Sequence, residues 1–169
     1  MIQQDDIVWN ALSDEQRILA DDGAFLVADS LVHKDKEPTD YSYLVFPYAK
    51  LYEGFLKDVF VHLGVISNMD YASTRFRIGR VLNPNITKLL RGKSVFAQLK
   101  NRYGIELPEK LWYAWKQGRN LVFHYFPANV RMLSREQAIA AIDLVVGAMR
   151  QLVERTQYVK KGTLNKKEE

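Results

Sequence analysis

Three side chains that could together act on a phosphodiester lie close in the sequence: Arg119, Asn120 and His124. A guanidinium donates parallel hydrogen bonds to phosphate oxygens and stays charged at any physiological pH. Imidazole changes its charge near neutrality, so it is suited to proton transfer. An amide one helical turn earlier can fix the tautomer of the imidazole or hold a phosphate oxygen. We therefore predict a catalytic site at these three residues, with Tyr125 as a supporting residue.

A single helix is predicted to carry this site. Pro108 suits a first helical position, and Glu109 suits a first turn because the helix dipole favours an anion there. Pro127 has no N–H to donate, so the helix should end near Phe126. The predicted helix therefore covers residues 108 to about 126, and it places Asn120 and His124 on one polar face.

An apolar stripe of the same helix is predicted to include Arg119. A guanidinium among indoles is costly unless it is paired, stacked or beside a water-filled cleft. One interpretation is that Arg119 snorkels over the indoles to solvent. The sharper interpretation is that this face is a pocket or a subunit interface that receives an anion. The apolar residues assigned to a dimer interface are Trp112, Trp115 and Phe126.

Glu53 is the acidic residue that could orient Arg119. It lies on a helix predicted from Tyr41 to about Leu63, with Lys50 three residues before it and Lys57 four residues after it. A solvated ion pair with these lysines is the default expectation, and orientation of Arg119 is the alternative. The three histidines show no metal-ligand spacing, so we predict no metal site and no cofactor.

The net charge of +4 conceals a strong asymmetry. Residues 1–40 hold ten acidic and three basic side chains, whereas residues 71–105 hold eight basic side chains and no acidic one. A charge run is usually a solvated surface, but this excess favours a polyanionic partner. The residues predicted to bind this polyanion are Arg75, Arg77, Arg80, Lys88, Arg91 and Lys93.

The remaining pattern predicts an all-α protein, an up-and-down helical bundle with additional short helices over 66–103. Capping boxes at Ser13 and Ser134 open two further long helices. The first of these has an apolar set that includes Ile18, Phe25 and Val32. We expect one domain over 1–159 and a disordered tail over 160–169. The chain has no cysteine, no bilayer-spanning apolar run and no signal peptide, which predicts a cytoplasmic protein.

The Arg119-Asn120 pair followed by His124, late in a helical bundle, resembles the signature of the HEPN superfamily. The segment 48–57 also resembles the second-helix region of the RNase LS-type toxins in that superfamily. The resemblance implies a metal-independent endoribonuclease that acts as a homodimer on RNA, with a role as a toxin or phage-defence effector and a cognate antitoxin as a further partner. A toxin subgroup carries His-x-Tyr, but here Phe126 holds that slot, so neutralisation through a modified tyrosine is not implied.

Two other functions fit the same sequence. One is a non-catalytic helical module that binds RNA or acts as an adaptor for an acidic partner protein. The other is a DNA-binding regulator built on the short helices of 66–103, although these lack a convincing recognition-helix pattern. Cleavage that depends on His124 would separate the catalytic function from both.

Overall fold

The computed structural model describes residues 1–32 and 37–160, and within these ranges every regular element is helical. This confirms the predicted all-α class. Nine α-helices lie in the described part of the chain, some extended by 3-10 or π turns. They are α1 (Ile7–Asn10), α2 (Asp14–Val32), α3 (Ser42–His62), α4 (Asn68–Ala72), α5 (Ile78–Val81), α6 (Thr87–Leu90), α7 (Val95–Tyr103), α8 (Glu106–Trp115) and α9 (Arg135–Thr156).

The four longer helices α2, α3, α8 and α9 alternate in direction along the chain. Gln16 bonds to Asp58 and Gly23 lies against Tyr48, so α2 and α3 are antiparallel. Gly118 lies against Val145 at one end of the α8–α9 pair, and Arg155 bonds to the Tyr103 carbonyl just before the other end. Tyr41, just before α3, bonds to Leu133 just before α9, and Asp58 bonds to Lys160, so α3 and α9 are parallel and the four helices follow the predicted up-and-down order.

Helix α3 is the centre of the bundle because it is apolar around most of its circumference. It packs mainly against α2 and α9, and its Tyr52 is fully buried. The Tyr52 hydroxyl donates a 3.0 Å hydrogen bond to the Leu111 carbonyl oxygen. Burial raises the pKa of Tyr52 well above its ordinary value of 10.0, so the hydroxyl remains a donor to α8.

The two predicted capping boxes are present. The Ser134 hydroxyl accepts from the Gln137 backbone N–H, and the Gln137 side chain accepts from the Ser134 N–H. Ser13 and Gln16 make the same reciprocal pair before α2. These bonds satisfy backbone donors that a helix leaves free at its start, which fixes where α2 and α9 begin. The short helix α1, which was not predicted, begins in the same way, with Asp6 accepting from Val8.

The prediction for α8 is wrong at both ends. The helix begins at Glu106, so Pro108 is its third residue, and its α-helical part ends at Trp115. Residues Lys116–Asn120 form a π turn in which the Leu121 N–H donates to the Lys116 carbonyl oxygen at 2.9 Å. The chain then leaves the helix, well before Pro127.

Packing of Gly118 against α9 gives a physical reason for the early end of α8. Gly118 is buried, and a Cβ placed on it would collide with Val145 Cγ2. The backbone of the π turn therefore lies closer to α9 than a helix bearing a side chain there could. Widened turns of this kind often occur at functional positions.

Helix α2 turns small residues, not its large apolar ones, towards the core. Its large apolar residues Ile18, Phe25 and Val32 are exposed, while small residues such as Gly23 form its buried face. The backbone of α2 approaches α3 closely at Gly23, where a Cβ would collide with the Tyr48 ring. Close approach favours small residues on the inner face and leaves the large ones outside.

The region 66–103 consists of short helices joined by turns, as predicted. A 3-10 turn at Pro84–Ile86 precedes α6 and another at Arg91–Lys93 follows it. Among the described residues, no helix has both the length and the apolar character needed to cross a bilayer. From residue 161 onward, the predicted disordered tail lies outside the described residues.

Candidate functional site

Arg119 occupies the π turn and is held by two contacts. Its Nη2 donates to Glu53 Oε2 at 3.0 Å, which is the alternative that the sequence left open for Glu53. Its guanidinium carbon lies 4.8 Å from the centre of the Trp115 ring. Ion pairing and stacking together resolve the cost of a guanidinium on an apolar face. The Arg119 side chain still exposes 37% of its surface, so a ligand can reach it.

Trp115 supports the arginine from inside the protein rather than from a subunit interface. It is almost fully buried, with the Tyr52 ring centre 6.5 Å away and Gly79 directly against its indole nitrogen. A side chain buried in its own chain has little surface to add to an interface, so Trp115 does not fit the predicted interface role. Trp112 and Phe126 remain partly exposed.

His124 lies beyond the π turn in a bend, not on a helix. Its Nε2 nevertheless lies 3.2 Å from Asn120 Oδ1, so the predicted contact between these two side chains is present. When Nε2 carries the proton, it donates to the amide oxygen, and Nδ1 is then free to accept a proton. Both His124 and Tyr125 are exposed. The amide therefore orients an imidazole that solvent or a ligand can reach.

Phe123 and Phe46 hold the bend against α3. Their ring centres lie 6.0 Å apart in an edge-to-face arrangement, a favourable geometry for two aromatic rings. No sequence pattern indicated this pair, because Phe46 is seventy-seven residues away on another helix. The contact fixes the position of the residue that directly precedes His124.

A groove of about 760 Å³ carries most of the predicted RNA-binding residues, and we call it the basic groove. Arg75, Arg77, Arg80 and Lys93 line it, whereas Lys88 and Arg91 do not. Arg77 donates to backbone carbonyl oxygens of its own loop, at 2.5 Å to Thr74 and 3.1 Å to Phe76. The structure thus brings four of the six predicted residues to one concave surface.

One carboxylate also lies in the basic groove. Asp70 accepts hydrogen bonds from the hydroxyl and backbone N–H of Ser67, which lower its pKa, and the charge of Lys93 adds to this effect. Asp70 is the third residue of α4 and forms a capping box with the N-cap residue Ser67, so its charge serves the helix start. Four cations against one acidic side chain leave the basic groove positive.

The basic groove and the arginine site are neighbours. Gly79 of α5 lies directly against the Trp115 indole, whose ring stacks with Arg119. On α3, Lys57 lies four residues after Glu53, and its Nζ is 6.0 Å from the centre of the Phe76 ring in the groove wall. A single aromatic side chain therefore separates the backbone of α5 from the guanidinium of Arg119.

A second polar cluster surrounds Asp58, which lies one helical turn before His62 on α3 and could have paired with it. Asp58 Oδ2 accepts from Gln16 Nε2 at 3.0 Å and from Lys160 Nζ at 2.8 Å. The His62 ring instead packs edge-on against Tyr158. Burial and the nearby Asp58 charge raise the pKa of Tyr158 to about 12. This cluster fastens the residues after α9 to the bundle.

Among the described residues, no group of three His, Cys, Asp or Glu side chains is arranged to hold a metal ion. The candidate site consists of Arg119, Asn120, His124 and Glu53, which are linked by the two side-chain contacts described above. Comparison with known proteins adds nothing to this site, because no family model, curated protein or solved structure matches the chain.

Proposed function

We propose that this protein is a metal-independent endoribonuclease whose catalytic residues are Arg119, Asn120 and His124. The observation that carries the proposal is that two side chains close in sequence, Arg119 and His124, are each held in a fixed orientation. A half-exposed guanidinium is fixed by Glu53 and Trp115, and an exposed imidazole is fixed by Asn120 only five residues later. Gly79, next to the groove cation Arg80, lies against the Trp115 ring on which Arg119 stacks.

RNA carries its own nucleophile, the ribose 2′-OH. In the proposed reaction His124 accepts the proton of this hydroxyl, and the 2′-oxygen attacks the adjacent phosphorus. The bond from phosphorus to the 5′-oxygen breaks, and a protonated group supplies a proton to that oxygen. Arg119 stabilises the added negative charge on the phosphoryl oxygens. The products are a 2′,3′-cyclic phosphate and a 5′-hydroxyl end.

A homodimer supplies the second proton-transfer group in this scheme. One chain offers one His124, whereas the reaction uses a base and an acid. A two-fold arrangement brings a second His124 and a second Arg119 to the same phosphate. Trp112 and Phe126, both partly exposed near the site, are the interface residues in this proposal. Glu53 and Tyr125 are supporting residues, Glu53 because it positions Arg119.

The biological setting follows the resemblance to the HEPN superfamily. The proposed role is that of a cytoplasmic toxin or phage-defence effector, kept inactive by an antitoxin protein. The basic groove supports an RNA substrate because cations along a concave surface follow a phosphate backbone. Arg75, Arg77, Arg80 and Lys93 would contact the strand on either side of the cut.

The test compares wild type with His124→Ala on total cellular RNA in EDTA. We expect removal of the imidazole to lower the cleavage rate at least about 100-fold, since a positioned acid or base contributes that much. His62→Ala is the matched control, because His62 is also exposed but packs on Tyr158. Circular dichroism checks that both variants fold. Undiminished cleavage by His124→Ala would reject the assignment.

A non-catalytic RNA-binding module is the second candidate, and the basic groove favours it independently of His124. This function predicts no cleavage by wild type and a salt-sensitive affinity for RNA. Replacement of Arg75, Arg77 and Arg80 by Gln would then abolish binding. A salt titration with RNA and with duplex DNA in parallel separates this module from a DNA-binding regulator.

A further inference from the structure

The outward face of α2 carries three large apolar side chains at a spacing of seven residues. Ile18, Phe25 and Val32 expose 60%, 68% and 75% of their surfaces. Seven residues make nearly two helical turns, so these side chains form one line along the helix. The buried residues of α2, among them Gly23 and Val27, lie on the opposite side. The line therefore faces directly away from the core.

Scattered exposed apolar residues are ordinary, but a line of three is a different case. Repetition at seven residues supplies one of the two apolar positions in each heptad through which one helix packs along another. This line is not part of the core, because α3 packs against the small residues on the other side of α2. The pattern is thus that of a contact face without its partner helix.

Acidic side chains flank the line on both sides. Asp14 and Asp21 lie along one edge, and Glu15 and Asp22 lie along the other, at three or four residues from Ile18. Helix α2 as a whole has five acidic residues and one basic residue. The basic residue, Arg17, pairs with Asp14 at 3.3 Å.

This charge pattern identifies the kind of partner. A second copy of the chain would place its own acidic edges against these, and like charges across such an interface are unfavourable. Residues 161–169 contain one large apolar residue, Leu164, which is too few for a matching line. A helix with an apolar heptad line and with Lys or Arg on both flanks could cover the apolar side chains and also pair with the acidic ones.

We propose that the outward face of α2 binds a basic amphipathic helix of a different protein. The contact would bury Ile18, Phe25 and Val32 in a helix–helix seam and pair the acidic edges with lysine or arginine. The face belongs to α2, whereas Arg119 and His124 follow α8, so this proposal does not rest on the ribonuclease proposal.

The test uses a synthetic helical peptide of about four heptads, with Leu on its apolar line and Lys on both flanks. Its affinity for the full chain is measured by fluorescence anisotropy. A peptide with Glu in place of every Lys is the charge control. We expect the Lys peptide to bind at least about tenfold more tightly than the Glu peptide, because four acidic side chains flank the seam.

Protein variants separate the apolar seam from charge attraction alone. Phe25→Ser should weaken binding of the Lys peptide at least about tenfold, because Phe25 is the centre of the line. Met69→Ser is the matched control, since Met69 is also exposed but lies on α4. Phe25→Ser should leave RNA cleavage unchanged, which distinguishes failure here from failure of the proposed catalytic site.

Several results would overturn the proposal. One is equal affinity of wild type and Phe25→Ser for the Lys peptide, and another is equal affinity for the two peptides. A third is a wild-type dimer that Phe25→Ser converts to a monomer in analytical ultracentrifugation, because a second copy would then cover the face. A fourth is equal weakening by Met69→Ser, which would make the binding unspecific.

Discussion

Two arginines of this protein sit in nearly the same local environment and differ in what they leave accessible. Arg119 pairs with Glu53 at 3.0 Å and lies 4.8 Å from the centre of the Trp115 ring. Arg135 pairs with Glu37 at 3.2 Å and also lies 4.8 Å from an aromatic ring centre, that of Tyr41.

The difference lies in the exposure of the side chain and in the number of groups that accept its hydrogen bonds. The Arg119 side chain is 37% exposed and bonds to Glu53, whereas Arg135 is 15% exposed and donates to both Glu37 and the Tyr41 hydroxyl. Arg135 thereby joins the residues before α3 to the start of α9. Arg119 keeps donors available on its outer edge. A paired, stacked arginine is thus a binding candidate only when solvent still reaches it.

The largest expected effect is the loss of RNA cleavage when Arg119, but not Arg135, is replaced by alanine. Arg119→Ala should lower RNA cleavage at least about 100-fold, the usual consequence of losing a charge-stabilising donor. Arg135→Ala should retain cleavage while lowering the melting temperature by several degrees, because the link between residues 37–41 and α9 is lost. Cleavage assays and thermal unfolding of both variants measure this. Comparable loss of cleavage in both would show that the two arginines do not differ in role.

A smaller effect is expected from the glycine next to Arg119. Gly118→Ala should destabilise the fold by about 1–3 kcal/mol, since its Cβ would collide with Val145 of α9. Gly147→Ala is the matched control, because nothing lies within 4 Å of a Cβ there. In that helical position alanine should be neutral or stabilising by about 0.5–1 kcal/mol. Urea unfolding measures the free energy of unfolding of both variants. Equal values would contradict the close packing of Gly118 against α9.

The smallest expected effect is on the stability of the protein at low pH, and it comes from Asp40, which lies next to the Arg135 partner Tyr41. Burial acts to raise the pKa of Asp40, but hydrogen bonds donated by Ser42 and Leu133 outweigh it and hold the pKa below 3.8. Its contribution to stability is therefore complete above pH 3.8 and is lost as the pH falls through the lower folded value.

Asp40→Asn tests this contribution because the amide does not titrate. We expect the free energy of unfolding of the variant to fall less steeply than that of wild type as the pH is lowered from about 5 towards 3. If the free energies of unfolding of wild type and variant change with pH in parallel, ionised Asp40 does not make this contribution to stability. Asp40 bonds to Ser42 and Leu133 rather than to Arg119 or His124, so the variant should cleave RNA at the wild-type rate.

Much of the fold could be predicted from the sequence because its signals are local. Ser134 and Gln137 cap α9 through residues three apart, and the apolar circumference of α3 marks it as central. The outward direction of Ile18, Phe25 and Val32 on α2 could not be predicted, because large apolar residues usually face inward. Packing of Gly23 against Tyr48 turns the other side of α2 to the core, and no residue near Phe25 in sequence indicates this contact.

The contacts among the candidate residues were only partly predictable from the sequence. Asn120 and His124 are close enough in sequence for their contact to be expected, and the contact persists although His124 is not helical. The Glu53–Arg119 pair joins residues sixty-six positions apart, and Lys50 and Lys57 offered nearer partners. The end of α8 depends on how Gly118 meets α9, which is a tertiary contact.

The widened turn at Lys116–Asn120 sets the direction in which the next residues of the chain point. An ordinary helical turn would reach the same point with one residue fewer, and each residue rotates a helix by about 100°. Excision of one residue here would swing the imidazole of His124 more than a quarter of a revolution away from its present direction, with every side chain of the motif still in the chain. The direction of His124 therefore depends on the number of residues in this turn as well as on the types of the side chains.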